Sequence, residues 1–251
     1  MTTIRPLASK DDYLACVALQ NEIWGDGYSD VSPPAILKIV QRVGGIAVGA
    51  FDTSGVLVGF VFGITGLDKG QIVHWSHQLG VQEGARNAGV GRRLKEYQRD
   101  ALRQMGVTRM YWTFDPLQAK NAHLNLNRLG VDVVDYVPDM YGASDSVLFR
   151  GLSSTDRFIA SWDLDSTRTR QPASANGVPL LEGTSTECPP RLKIAIPLDI
   201  NAVLRTDPAA AAEWRPRTRP AFMWALSNGY TIDGFARDPD AKLAYYMLTR
   251  A

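Results

Sequence analysis

Arg86-Asn87-Ala88-Gly89-Val90-Gly91 lies between a strand-like stretch and a periodic helix, and the reading of that junction decides the fold. Before it, Leu79 and Val81 alternate with Gly80 and Gln82, the period-two pattern of a strand. After it, Val90, Leu94, Tyr97, Ala101 and Met105 recur at three- and four-residue spacing, and Gly106 stands where a helix stops. Glycines at the join open backbone conformations closed to other residues, so successive N–H groups can converge on one point. The helix N-terminus adds free amides and partial positive charge. Such a junction suits a diphosphate; a tight turn with no ligand is the plainer reading of the same six residues.

Two well-known phosphate motifs fail here. A Rossmann fingerprint needs a third glycine where Leu94 stands, a core-facing helix position. A Walker loop begun at Gly84 and Gly89 lacks the lysine and hydroxyl that grip a terminal phosphate and magnesium, because Val90-Gly91 follows. What does fit is the pattern Arg/Gln-x-x-Gly-x-Gly/Ala, and with Leu79-Gly80-Val81 at the preceding strand end the chain resembles the GNAT superfamily of acyl-CoA N-acyltransferases.

Working outward, a strand near Ile4 to Leu7 precedes a helix over Asp11 to Ile23, and a second helix opened by Ser32-Pro33-Pro34 ends at Gly44-Gly45. Strands follow at Ile46 to Asp52, Val56 to Ile64 and Gln71 to Val81. Beyond the loop and its helix come a strand Val107 to Phe114 closed by Asp115-Pro116, a helix Leu117 to Leu129, a strand Val131 to Tyr136, and a last strand at Ser146 to Phe149 or Phe158 to Trp162. This order matches GNAT domains, so the resemblance implies an α/β fold of the α+β type over residues 1–164, a mixed and mostly antiparallel sheet flanked by helices. Residues 165–190, rich in Ser, Thr, Pro and Gly, read as a connecting loop. Residues 191–251 read as a smaller β-α-β-β segment whose order echoes Met110 to Phe149 as a partial repeat.

The 251 residues carry 27 basic and 26 acidic side chains, a net charge of +1 that gives no global field for nucleic acid or an anionic membrane. No apolar run reaches a membrane span and the N-terminus lacks a signal core, so the expected location is the cytoplasm. Cys16 and Cys188 are too few for a disulfide framework or a cysteine-rich zinc site. No metal is expected.

The resemblance implies acetyl-CoA or another acyl-CoA as co-substrate, with acetyl or succinyl the group moved by direct transfer to a small-molecule amine or amino acid; a homodimer is compatible with it. It places the oxyanion on the backbone N–H of Val81, the acyl arm beside Leu79 and Val81, and the diphosphate on Arg86, Asn87, Ala88, Gly89, Val90, Gly91 and Arg92. Asn121 matches an asparagine turned toward the pantetheine arm, with local capping the plainer reading. His77, on alternation, shares a strand face with Leu79 and Val81 and is the candidate base. Where the family carries an acidic tyrosine this chain has Leu126, so Tyr136 or Tyr141 stands in, Tyr141 being preferred. Arg215, Arg217 and Arg219, interrupted by Pro216 and Pro220, read as a solvated cluster across a helix break. The missing tyrosine keeps open a second function, a non-catalytic acyl-CoA sensor or scaffold.

Overall fold

The computed structural model describes residues 2–142, 154–170 and 174–250. They form two compact units, one of residues up to Trp112 together with Asp163–Asp165, the other from Thr113 onward.

The first unit begins with β1 (Thr3–Pro6) and α1 (Lys10–Trp24). Ser9 caps α1 by accepting from the Asp12 amide, and the Asp12 carboxylate accepts in return from the amides of Ala8 and Ser9. Arg5 grips the same carboxylate with both guanidinium nitrogens, at 2.7 and 2.9 Å, and this charged hydrogen bond holds Asp12 well below the usual carboxylate range. Next come α2 (Pro34–Arg42), β2 (Ile46–Phe51), β3 (Leu57–Asp68), β4 (Gln71–Val81), α3 (Val90–Gln104) and β5 (Arg109–Phe114). Strand order is β1-β2-β3-β4-β5, antiparallel throughout except for parallel β4 and β5. Tyr13, Cys16, Leu19, Leu37 and Val40 of α1 and α2 pack with Phe60 and Phe62 on one face of the sheet. Helix α3 covers the other, where a β-carbon on Gly59 would meet Val90 and Leu94.

The buried row of α3 differs from the apolar spacing. Lys95, Gln98 and Leu102 are buried beside Val90 and Leu94, whereas Met105 is 44% exposed. The two polar members find hydrogen-bond partners on β4, which satisfies them inside the protein.

In the second unit β6 (Asp132–Val137) pairs antiparallel with β7 (Arg157–Asp163). The strand expected at Phe158 to Trp162 is thus present, and the alternative at 146–149 lies outside the described residues. The expected helix over Leu117 to Leu129 is a short α4 (Ala119–Ala122) that widens into a π-helical stretch, His123–Arg128. Its wider turn buries Asn125, Leu126 and Asn127 in succession, and Asn127 donates to the Phe235 carbonyl. A separate sheet holds β8 (Arg191–Pro197), β9 (Tyr230–Asp238) and β10 (Leu243–Arg250) in the order β8-β10-β9, with α5 (Ile200–Thr206) and α6 (Pro208–Ser227) between its first two strands in sequence. Its middle strand is the last in sequence.

Helix α6 corrects one expectation. It runs unbroken through Pro216 and Pro220. Both prolines are exposed, so the carbonyls they leave unpaired can reach solvent, while the opposite side is held by buried ion pairs. The arginine cluster is accordingly not a solvated patch. Arg215, 2% exposed, forks onto Asp115 at 2.8 and 3.1 Å; Arg219 binds Asp156 and Asp139; only Arg217, paired with Glu182, lies at the surface.

Candidate functional site

Strands β4 and β5 pair only at His74 with Met110 and Trp75 with Tyr111. Beyond that point, among the described residues, the β5-facing edge of β4 carries no ladder. Which amides face this open edge follows from the register. Gln82 donates to the Val58 carbonyl on β3, so in an antiparallel ladder Gly80 also faces β3, and Leu79 and Val81 turn both N–H and C=O outward. The Val81 carbonyl is taken by Arg86 Nε at 3.0 Å, which ties the loop back to the strand end.

His77 interrupts the strand. Phe62 pairs with Gln78 and Gly63 with Ser76, leaving His77 as an extra residue, a β-bulge. The bulge overturns the expectation that His77 shares a face with Leu79 and Val81. Ser76 bonds Gln98 and Lys95 of α3, and a β-carbon on Gly91 would touch Leu79 and Val81, so these three residues face α3. His77 instead sets its ring edge-on to Phe62, centroids 5.8 Å apart, on the side of α1 and α2. Gln78 joins it there, donating to the Asp30 carbonyl and accepting from Ser32 Oγ, and so fixes the segment between α1 and α2 against β4. Desolvation lowers the His77 pKa below the ordinary histidine value, and the nearby Asp30 charge opposes the shift. His74 is a different case. It is fully buried, bonded through both ring nitrogens to Thr65 and Gln98, and burial pushes its pKa down to about 3.

The loop after β4 opens with a single 3₁₀ turn, Glu83–Ala85. The amides of Gln82, Ala85 and Arg86 donate within the protein, to Val58, Gln82 and Glu83. From Asn87 to Arg92 the amides donate to no backbone acceptor among the described residues. Asn87 and Gly89 take left-handed conformations, φ +64° and +75°, and Gly89 is the residue before the first turn of α3. This alternation of handedness curls successive N–H groups toward one side, and the free amides of α3 continue the row. Arg92 is exposed and paired with Glu96 at 2.8 Å.

The remaining expected residues belong to the second unit. Asn121 is exposed on α4 and makes no capping bond, the residue before that helix being Gln118. Tyr141, 44% exposed, meets Thr113 Oγ1 through its hydroxyl at 3.0 Å. Tyr136 is buried, hydrogen-bonded to Asp156, and raised far above the ordinary tyrosine range, chiefly by burial; it is locked as a structural donor. Leu126 is fully buried, and Cys16, also buried, has its thiol pushed up to about 12. Asp30, Gln78 and Lys95 had no signal in local patterning. No group of three or more His, Cys, Asp or Glu among the described residues could hold a metal ion, and no described helix is long and apolar enough to cross a membrane.

Residues 13–130 match the model of the Acetyltransferase (GNAT) family. Among similar solved structures is the ribosomal-protein-S18-alanine N-acetyltransferase of Escherichia coli, 17% identical, covering 70% of this chain and 98% of that one with a TM-score of 0.52. YncA of Salmonella typhimurium, solved with its cofactor acetyl-CoA, is 20% identical over 69% of this chain and 99% of its own, TM-score 0.51. Arabidopsis thaliana Naa50, in complex with the bisubstrate analogue CoA-Ac-MVNAL, is 14% identical over 64% of this chain and 97% of its own, TM-score 0.51. At these identities the likeness is one of fold. No curated protein matches the chain.

Proposed function

From the match of residues 13–130 to the Acetyltransferase (GNAT) family model, we propose that the chain moves an acyl group, acetyl or succinyl, from coenzyme A directly to the nitrogen of a small amine or amino acid. The observation that carries this reading is the continuous row of unengaged amides from Asn87 to Arg92, opening beside the outward N–H groups of Val81 and Leu79. Diphosphate oxygens need several converging donors in place of lost hydration, and the row supplies them without a lysine or a metal. Arg86, exposed beside it, adds charge.

Along the open edge of β4 the acyl arm takes the place of a strand, and the amides of Val81 and Leu79 donate to it. As the amine attacks the thioester carbonyl carbon, negative charge gathers on the carbonyl oxygen, and an outward amide fixed by the β3–β4 ladder stabilises it without reorganising. His77 takes the ammonium proton before attack, directly or through water. Its lowered pKa keeps the imidazole neutral near neutral pH, the form a base requires. The carbon–sulfur bond then breaks, and the thiolate leaves with a proton taken from solvent. Neither cysteine serves as a covalent carrier in this scheme, Cys16 being buried in the α1 core.

Calorimetric titration with coenzyme A, followed by thiol release from acetyl-CoA and succinyl-CoA against a panel of amines and amino acids, tests the reading. Binding with amine-dependent thiol release supports it. Binding with no release above hydrolysis points to the sensor, favoured by Leu126 in place of an acid, and absence of binding removes both.

A further inference from the structure

Lys95 is 5% exposed in the interior of the first unit and has no carboxylate facing it among the described residues; burial alone drives its pKa well below the ordinary value. Its position explains its presence. The Nζ donates to Ser76 Oγ at 2.7 Å and sits 3.8 Å from the centroid of the Trp112 ring. Ser76 is the first residue of β4 beyond the last β4–β5 pair, and Trp112 is the first of β5 beyond it. The amine therefore lies at the fork where the two strands part, with one contact on each.

From Lys95 a single directed chain of hydrogen bonds runs through the unit. Ser76 Oγ donates to Gln98 Oε1 at 2.9 Å, Gln98 Nε2 meets His74 Nε2 at 2.9 Å, His74 Nδ1 meets Thr65 Oγ1 at 2.9 Å, and Thr65 donates to the Gly44 carbonyl at 2.6 Å. Each bond of the chain sets a donor against an acceptor if His74 is neutral and carries its proton on Nδ1, which fits its depressed pKa. Lys95 heads the chain as a donor. His74 is the one other titratable group in it, and Trp112 covers the amine from β5.

A methionine of the same length would fill this space without desolvating an amine. Strands that stop pairing lose the ladder that set their spacing, and a side chain with one contact to each strand can replace it. We infer that Lys95 is a positioning residue: carried on the helix whose first turn would receive the diphosphate, it pins β4 and β5 at their fork and so fixes the gap that takes the acyl arm. The inference rests on the coenzyme reading above. It predicts that the diphosphate end and the arm respond differently when the pin is removed.

ADP, which carries the diphosphate without the pantetheine arm, and coenzyme A are the two probes, each titrated calorimetrically into folded protein. Lys95→Met should leave ADP affinity within about twofold of native while coenzyme A weakens about tenfold, the equivalent of one buried hydrogen bond. Ser76→Ala, which removes the acceptor, should give the same split, and the double variant should be no weaker than either single one, since both break one contact. Turnover should fall with coenzyme A affinity. Native affinity for coenzyme A in Lys95→Met and Ser76→Ala, or equal loss of both probes in variants that melt as cooperatively as the native protein, overturns the pin. A native protein that binds neither probe sinks the coenzyme reading, and this inference with it.

Discussion

Replacing each loop glycine by alanine should separate two residues that the motif treats alike. Gly89 sits at φ +75° with no atom within 4 Å of where a β-carbon would project. A β-carbon on Gly91 would meet Leu79 Cδ2 at 3.5 Å and Val81 Cγ2 at 3.8 Å, ordinary packing distances, on a backbone that any residue adopts. Alanine at position 91 is therefore tolerated and gains up to about 1 kcal/mol of helix propensity. At position 89 there is room but the wrong handedness, and holding an L-residue there costs about 1–2 kcal/mol. The free loop can relax by leaving the left-handed region, which swings the Val90 amide away; the diphosphate-bound loop cannot. If the loop relaxes, the strain appears as about a 5- to 30-fold loss of coenzyme A affinity. If it does not, the strain appears instead as a drop of about 2–8 °C in Tm of the free protein. Melts taken without ligand and at about 100 times the native Kd, where the native protein gains about 2.7 kcal/mol, measure both parts. Gly89→Ala with native affinity and native Tm, or Gly91→Ala losing as much affinity as Gly89→Ala, would refute the reasoning.

His77→Gln should lower kcat about 100-fold or more and abolish the acid limb of the kcat/KM profile, which in the native enzyme lies below the ordinary histidine value because the His77 pKa is lowered; an unchanged profile removes His77 as base. For Lys95 the sign follows from linkage: its folded pKa is depressed, so the unfolded chain binds the extra proton and native stability climbs as pH rises toward the ordinary 10.5. Lys95→Met should thus be more stable than native at neutral pH, with the gap closing near that value in urea melts; a pH-independent gap contradicts it. Asp115→Asn strips the partner from buried Arg215 and should cost about 3–5 kcal/mol in denaturant unfolding, against less than about 1 kcal/mol for Arg217→Ala at the surface. Equal effects would deny Asp115 its structural role.

What was legible in the sequence is what short-range periodicity encodes. The strand ending at Val81, the loop and α3 form one continuous stretch in which each local preference agrees, and the left-handed Gly89 falls where the motif needs a glycine. The buried side of α3 was only half legible. Spacings of three and four admit Tyr97 and Met105 as readily as Gln98 and Leu102, and the choice is made by Ser76 and His74, far away in sequence. Helix α6 shows the same limit: two prolines signal a break, and distant Asp115 and Asp156, gripping Arg215 and Arg219, hold the turns together. The bulge left no trace, because an inserted histidine alternates as acceptably as any other residue until β3 is laid beside it.

That one inserted residue gives β4 its two uses. Without it, alternation would put His77 on the α3 side with Leu79 and Val81, where the helix carrying the amide row begins. With it, the strand reverses its faces at His77: beyond the bulge Leu79 and Val81 look toward α3 and the loop, while His77 and Gln78 look toward Phe62, Asp30 and Ser32. In the proposed reaction the base and the acyl arm are thereby served from opposite faces of one strand, within two residues of each other. Deleting His77 outright should accordingly remove the base and leave the rest of β4 in place: Ser76 and Gln78 keep their partners Gly63 and Phe62, regular pairing runs through them, and Gln78 still faces Asp30 and Ser32. Proteolysis within residues 25–33 should then stay at the native rate in the deletion and accelerate in Gln78→Ala, which takes away both contacts to that segment.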